Sequence, residues 1–325
     1  MLGAWLACAS AAFFGLNNAT TRRGVLKGSV LQGMAITVPL GVPIFVAFAL
    51  AMGGFSAMAD WGVASWVWMI LAGIVHFVIG RYGNYKATQA LGATLSTPVQ
   101  QLSILIALVL AFIFLGETVN TVNLFGIALI IIGPMILVRR RKTVSAKGTA
   151  KGFEPQYLPG MVWGAVCAFG YGTSPLLIAL ALGPDGTLAS AVGGVLVSYV
   201  AASVVVIAMV LLAGGRGYMA GMDGGSAKWF LLSALFVALS QFFRYLALAV
   251  APVSVVVPIQ RLSVVFRLLF NALINREHEV FDAWVIGSIF LAVLGAVALA
   301  MDTPTLLSVL GVPGGWIAAL TAPLI

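Results

Sequence analysis

Charged residues are scarce in this 325-residue chain: Asp, Glu, Lys and Arg make up 8% of it, against 62% hydrophobic residues. A water-soluble domain carries about 25% charged residues, so too little charge is present to cover a soluble surface. Hydrophobic runs approach the ~20 residues that a membrane-spanning helix needs. Runs such as 124–138 are apolar on every side and lack the alternation of outer-membrane barrel strands. The sequence predicts an all-α integral membrane protein.

Cysteine and histidine are also rare, with two of each. Cys8 and Cys167 both lie in apolar runs, so neither a disulfide framework nor a cysteine metal site is expected. The two histidines, with acids only in loops or at span ends, do not form the ligand set of a metal hydrolase. We expect no cofactor, and an enzyme is the least favoured function. The net charge of +8 comes from bases in short loops, so no nucleic-acid partner is expected.

The apolar runs fall into two sets of five. The first set covers 2–20, 29–52, 61–86, 92–115 and 122–138, and the second covers 160–182, 187–213, 228–250, 253–275 and 283–301. We therefore expect a first five-helix unit over 1–138, a basic linker over 139–159, a second unit over 160–302 and an apolar tail over 303–325. The tail is either an interfacial segment or an eleventh span, and its length does not decide between them.

The two units are similar at a shift of 160 residues. Segment 85–117 aligns without gaps with 245–277, pairing Tyr85 with Tyr245, Pro98 with Pro258, Gln100 with Gln260 and Glu117 with Glu277. Apolar composition alone would not match prolines, glutamines and glutamates. Because each unit has an odd number of spans, its second copy would enter the bilayer upside down. The sequence therefore predicts ten transmembrane helices as a 5+5 inverted repeat, an arrangement typical of transporters.

The loop charges predict the orientation. One set of alternate loops carries most of the bases, including the cluster at 139–151, whereas the other carries Asp60, Glu117, Asp185 and Asp302 without a base. By the positive-inside rule the linker is cytoplasmic and the N-terminus outside, in the inner or plasma membrane if the protein is bacterial. The first apolar run has no base before Arg22, so we expect a retained helix and not a signal peptide.

Three motifs resemble a known family. The segments TPVQ at 97–100 and LGET at 115–118, with the spaced glycines of 126–133, are similar to the signature of EamA-type transporters of the drug/metabolite transporter superfamily. Pro258, Glu277, Gly287 and Gly295 repeat it more loosely, with Arg276 where the family often has Gly. The resemblance covers residues 3–300. It implies a ten-helix carrier that moves small metabolites by alternating access, often as an exporter.

Polar residues within the predicted spans are the candidate substrate-binding groups. Four of them share one stripe of the ninth helix: Gln260, Ser263, Arg267 and Asn271. Arg261 lies about 100° away on the same helix. The others are Asn17 on helix one, Arg81, Asn84 and Tyr85 on helix three, Gln100 and Gln101 on helix four, and Gln241, Arg244 and Tyr245 on helix eight. An arginine facing lipid costs ~2.5–3.5 kcal/mol even on membrane-insertion scales, which give the lowest values. The stripe is therefore expected to face protein or water.

The sign of the buried charge points to the substrate. Arg244, Arg261 and Arg267 lie within predicted spans, whereas no Asp or Glu does. We expect the carboxylate or phosphate of a small-molecule substrate to compensate them, bound by the planar guanidinium fork. The alternative is that these arginines bond backbone carbonyls freed near helix ends.

Further residues are candidates for movement or proton transfer. Pro98 and Pro258 each remove a backbone donor within a helix and are either hinges or packing kinks. His76 is either a proton carrier or a hydrogen-bonded packing residue. The loop group of Arg276, Glu277, His278, Glu279 and Asp282 is expected to be a solvated turn.

The sequence therefore predicts a secondary transporter of a small polar, anionic metabolite that works by alternating access, as an exporter or exchanger. A passive channel and a non-transporting scaffold are the alternatives. The expected partners are the substrate and the lipid bilayer. The substrate's identity, the coupling ion and the oligomeric state do not follow from the residues.

Overall fold

The computed structural model describes residues 2–116, 154–279, 283–300 and 311–322, with isolated positions between 120 and 136 and between 304 and 308. The first unit contains α1 (Leu2–Gly24), α2 (Val30–Thr37), α3 (Gly41–Ala51), α4 (Gly54–Ala59), α5 (Val63–Gly73), a π-helical segment (Ile74–Gly80), α6 (Arg81–Gln100) and α7 (Ser103–Leu115). The second contains α8 (Tyr157–Leu182), α9 (Leu188–Leu212), α10 (Gly215–Ala220), α11 (Gly224–Val250), α12 (Val253–Gln260), α13 (Ser263–Ile274), a 3-10 turn (Arg276–His278) and α14 (Ala283–Ala300). The short helix α15 (Gly314–Thr321) follows.

Within the part of the chain that the structure describes, five helical stretches are long and apolar enough to cross a bilayer. They are Val30–Ala51, Val63–Leu115, Tyr157–Leu182, Leu188–Leu212 and Gly224–Val250. Large apolar side chains such as Ile113 and Leu212 are exposed, whereas Asn84 and Thr88 are fully buried. This distribution is that of a protein whose solvent is lipid. The predicted all-helical integral membrane protein is confirmed, while the ten-span inverted repeat stays a prediction.

Long helices in both units are interrupted at corresponding places. The chain turns at 101–102 between α6 and α7, and again at 261–262 between α12 and α13, 160 residues later. A further break lies inside α6, where Gly92 adopts φ +82° and ψ 165°. This backbone region is essentially reserved for glycine, so the position divides the predicted third and fourth spans.

The two units interlock through their first helices. Helix α1 packs on α11 and α13, and α8 packs on α6 and α7. Glycines permit both approaches: a Cβ on Gly15 would lie 2.5 Å from Cβ of Phe266, and one on Gly172 would lie 2.7 Å from Cβ of Ile106. Phe266 and Ile106 are themselves 160 residues apart. Gly160 and Gly164 similarly face Leu91 and Val99.

Several sequence-based expectations fall on residues outside the described part of the chain. These are most of the fifth span at 122–138, the basic cluster at 139–151, and the acids Glu117, Asp282 and Asp302. Pro258 lies in α12, and the structure describes its backbone.

Candidate substrate site

A small polar cavity of about 20 Å³ lies between the two predicted units. It is bounded by α1, the π-helical segment, α8, α11 and the break between α12 and α13. Six of its lining residues are sequence candidates: His76, Gln241, Arg244, Gln260, Arg261 and Ser263. Ser10, Ala11, Phe14, Tyr171 and Ser240 complete the wall and were not anticipated. A space of this size is large enough for about one water molecule.

The π-helical segment positions His76 in the cavity wall. Such segments insert an extra residue into a helical turn and are frequent at functional sites. Here the segment packs closely on α8, because a Cβ on Gly170 would lie 2.6 Å from Cα of Gly80. The His76 ring stacks on Tyr171 with centroids 4.4 Å apart.

Arg244 is held by a cluster of neutral groups. Its Nη1 lies 2.9 Å from Nδ1 of His76 and donates to Oε1 of Gln241 at 3.2 Å. Its Nη2 donates to the Ser174 hydroxyl at 2.8 Å. None of these partners carries a negative charge, so the guanidinium is hydrogen-bonded without being neutralised.

The Arg261 side chain has no hydrogen-bond or ion-pair partner among the described residues, and its Nε is buried and unpaired. The residue is 9% exposed and lines the cavity. It stands at the break between α12 and α13, where the chain turns away from the helix axis. A buried polar group is normally hydrogen-bonded, and an exception calls for a ligand, water or ion. Among the described arginines of the site, Arg261 is therefore the one whose burial calls for a ligand.

Arg267 lies in a network beside the cavity. Its Nη1 donates to the Thr97 hydroxyl at 2.9 Å and to Oε1 of Gln100 at 3.0 Å, with the Ala93 carbonyl at 3.3 Å. The Gln100 amide donates in turn to Asn84, and Asn84 donates to the Tyr171 hydroxyl. The predicted stripe is buried, and Arg267 binds one backbone carbonyl, as the alternative interpretation proposed.

Other candidates contribute polar contacts between helices. Gln260 donates to the Ser10 hydroxyl at 2.9 Å, and Asn17 accepts from Ser233 at 2.7 Å. Asn271 accepts from Asn275 at 2.7 Å, while its own amide nitrogen is buried and unpaired. Gln101 is buried with an unpaired amide nitrogen and does not line the cavity.

Three candidates lie in packing contacts away from the cavity. Arg81 donates to the Tyr199 hydroxyl and to the Thr37 carbonyl, both at 3.2 Å. Tyr85 donates to the Thr37 hydroxyl at 3.1 Å, and Tyr245, 160 residues later, donates to the Ser198 hydroxyl at 3.0 Å. The structure does not bring these three side chains to the cavity wall.

The prediction of a solvated turn at 276–282 is wrong for Glu279. Arg276 and Glu277 are exposed, but Glu279 is 3% exposed and pairs with Arg22, whose Nε lies 2.9 Å from its Oε1. Its oxygens accept the backbone N–H groups of two residues after Gly92, which offsets the cost of burying the charge. The local sequence holds no signal for this contact, because its partners lie more than 180 residues away.

Comparison with known proteins finds similarity to membrane transporters. Residues 1–139 match the model of the EamA-like transporter family. A magnesium transporter NIPA3 from Pongo abelii is 28% identical over 123 residues, which are 34% of this chain and 30% of that protein. The magnesium transporter NIPA3 of Homo sapiens is 28% identical over 137 residues, 38% of this chain and 33% of its own. The match thus spans about a third of each curated relative.

A solved crystal structure shares the fold. It superposes with a TM-score of 0.63 over 91% of this chain and 94% of its own, at 18% identity. The apolar helices and their buried polar centre define an all-helical integral membrane protein. The match of residues 1–139 to the EamA-like transporter family supports membership of the drug/metabolite transporter superfamily.

Proposed function

We propose that the protein is a secondary transporter that carries a small anionic metabolite, bearing a carboxylate or phosphate, by alternating access. The observation that carries the proposal is the guanidinium of Arg261 in the cavity wall, which has no partner among the described residues. A buried charge without a partner is costly, and a bound anion would remove that cost. The guanidinium fork fits carboxylate and phosphate oxygens in a bidentate way.

The rest of the cavity favours the same sign of ligand. Arg244 faces the same space with only neutral partners, and the described lining residues include no acid. Serine hydroxyls and the Gln260 amide could bind the uncharged part of a metabolite. Two arginines in one wall attract an anion and repel a cation.

Magnesium is the substrate named for the curated relatives, and the cavity does not suit it. Mg²⁺ takes oxygen ligands, usually with one or two carboxylates. Within the described ranges, no group of three or more His, Cys, Asp or Glu side chains could hold a metal ion. We therefore do not carry the relatives' substrate over to this protein, and Mg²⁺ becomes one arm of the test.

Alternating access would follow from two related units of opposite orientation. The matched breaks at 101–102 and 261–262 and the matched glycine contacts of α1 and α8 support an internal repeat. In the proposed arrangement each unit contributes five spans, the basic linker is cytoplasmic and the N-terminus is outside. The prolines at 98 and 258 lie just before the breaks, where a hinge would act.

The test is uptake into proteoliposomes loaded with unlabelled substrate. The probes are radiolabelled pyruvate, succinate and inorganic phosphate, with Mg²⁺ followed by an indicator dye. We expect saturable, counter-stimulated uptake of at least one anion. In Arg261→Gln it should fall at least about tenfold, because a charge-assisted hydrogen bond contributes about 1.5–3 kcal/mol. Arg276→Gln, which removes an exposed arginine, is the matched control and should transport normally.

Two results would contradict the proposal: uptake of Mg²⁺ alone, or equal anion uptake by Arg261→Gln and the native protein. Uptake without saturation or counter-stimulation would favour the channel alternative. No exchange of any solute would favour a scaffold.

A further inference from the structure

The carboxylate of Glu279 occupies a site built by other parts of the chain. Its Oε1 accepts the backbone N–H of Ala93 and its Oε2 accepts that of Thr94, both at 2.7 Å. The Arg22 Nε lies 2.9 Å from Oε1. Two backbone N–H donors of α6 and the guanidinium of Arg22 on α1 therefore surround one carboxylate, which comes from the turn after α13.

The two N–H groups are available because of the break at Gly92. A helical segment has no internal partners for its first N–H groups, and segment 93–100 starts anew after the break. The φ of +82° allows the chain to turn there, and a Cβ at this position would lie 3.1 Å from Oε1 of Glu279. Gly92 therefore both exposes the N–H groups and leaves room for a carboxylate against them.

Arg22 is held in place by groups other than Glu279. Its Nη1 donates to the Thr88 carbonyl at 3.2 Å and its Nη2 donates to the His278 carbonyl at 2.8 Å. The residue is 1% exposed. Because its guanidinium is fixed independently, the donors keep their arrangement when the carboxylate leaves.

We propose that these donors, the N–H groups of Ala93 and Thr94 and the guanidinium of Arg22, form a carboxylate-binding site. We call this set the Gly92 cradle. Glu279 fills the cradle as a tethered anion in this conformation, and a free carboxylate binds there when the Glu279 side chain is absent. Backbone N–H groups and a buried guanidinium together select a carboxylate over a neutral or cationic ligand.

The cradle is also linked to the candidate substrate site. Ala93 donates its N–H to Glu279, while its carbonyl lies 3.3 Å from Nη1 of Arg267. Segment 93–100 is therefore held by Glu279 at one end and by Arg267 along its side. A substrate carboxylate that displaced Glu279 would release one end of this segment. This role in the transport cycle rests on the proposed function, whereas binding of a carboxylate in the cradle does not.

The test is chemical rescue of Glu279→Ala in detergent. This substitution deletes an acetate-sized group, so sodium acetate is the probe, with sodium chloride keeping the ionic strength constant. We expect Glu279→Ala to melt below the native protein and acetate to raise its melting temperature with a saturable dependence. Glu277→Ala, two residues away and exposed, is the matched control. The proposal is overturned if acetate shifts Glu279→Ala no more than it shifts the native protein and Glu277→Ala.

If Glu279→Ala does not survive extraction in chloride, its recovery in the two salts is compared instead. Recovery of monodisperse Glu279→Ala only in acetate would then support the cradle, and equal loss in both salts would overturn it. Glu279→Gln fills the same space with an amide and should not respond to acetate. An equal response of Glu279→Gln would place acetate elsewhere and overturn the proposal. Rescue by acetate without anion transport would contradict the proposed function alone.

Discussion

Nη1 of Arg244 lies 2.9 Å from Nδ1 of His76 in the cavity wall. A guanidinium only donates, so we assign Nδ1 as the acceptor and the imidazole as neutral, with its proton on Nε2. The Ser174 hydroxyl lies 2.8 Å from the same ring nitrogen. In this conformation His76 holds Arg244, and it can carry a proton only after the guanidinium moves away.

The first prediction separates these two roles of His76. His76→Gln keeps an acceptor for Arg244 and should retain most anion uptake, with the native pH profile between about pH 6 and 8. His76→Ala should lose about tenfold, because the buried guanidinium loses a partner. Uptake into proteoliposomes at several pH values is the measurement. A pH dependence abolished in His76→Gln but kept in His278→Gln would instead identify His76 as the proton carrier.

The second prediction concerns stability and the two arginines at and after the break between α12 and α13. Arg261→Met removes an unpartnered buried charge and should stabilise the substrate-free protein by about 1 kcal/mol or more. Arg267→Met should destabilise it by about 1–3 kcal/mol, because Thr97 and Gln100 lose their donor. Thermal unfolding in detergent checks both, with Arg276→Met as the control. Destabilisation by Arg261→Met would mean that Arg261 has a structural partner.

The third prediction tests the residues that lie away from the cavity. Tyr199→Phe and Arg81→Gln remove hydrogen bonds between helices and should each lower stability by about 1 kcal/mol. Neither should change the substrate concentration that gives half-maximal uptake. A marked rise in that concentration for Arg81→Gln, at unchanged maximal rate, would return Arg81 to the substrate site.

The fourth prediction concerns Gly92. Gly92→Ala places a side chain in a backbone region that costs about 1–3 kcal/mol, and its Cβ also presses on the Glu279 carboxylate. Gly53→Ala is the control, since Gly53 also has a positive φ, +74°, but no atom lies within 4 Å of the place that its Cβ would take. Thermal unfolding should show the larger loss for Gly92→Ala. Equal losses would mean that neither the ψ of 165° at Gly92, against 21° at Gly53, nor the contact with the carboxylate adds a cost.

The fifth prediction concerns how the stability depends on pH through His278, which lies outside the spans. Burial lowers the pKa of His278 from its ordinary value, and the nearby Arg23 and Arg22 lower it further. The unfolded chain then binds the proton more readily, so this residue makes stability fall as the pH drops below about 6.5. Melting temperatures of His278→Gln should fall less than those of the native protein between about pH 7.5 and 5.5. Parallel curves would show that His278 does not contribute.

Sequence reasoning found the polar stripe but not the partners of its members. Helical spacing predicts that Gln260, Ser263 and Arg267 share a face, and all three are buried. The same spacing cannot distinguish Arg261, which has no described partner, from Arg267, which has three. It also missed Ser10 and Ser240 in the cavity wall, because single serines in apolar helices are common and carry no signal of their own.

Hydropathy and periodicity are local properties, so the sequence by itself determined that the chain forms apolar helices in lipid with arginines turned inward. Motifs in the first unit also indicated the EamA-like transporter family, whose model residues 1–139 match. Only the tertiary structure decided which charges are neutralised: Glu279 reaches Arg22 across 257 positions, and Arg261 finds no such partner among the described residues. The physical reason is that a guanidinium or carboxylate reaches only a few ångströms, so its partner depends on how distant helices pack and where their glycines let them approach.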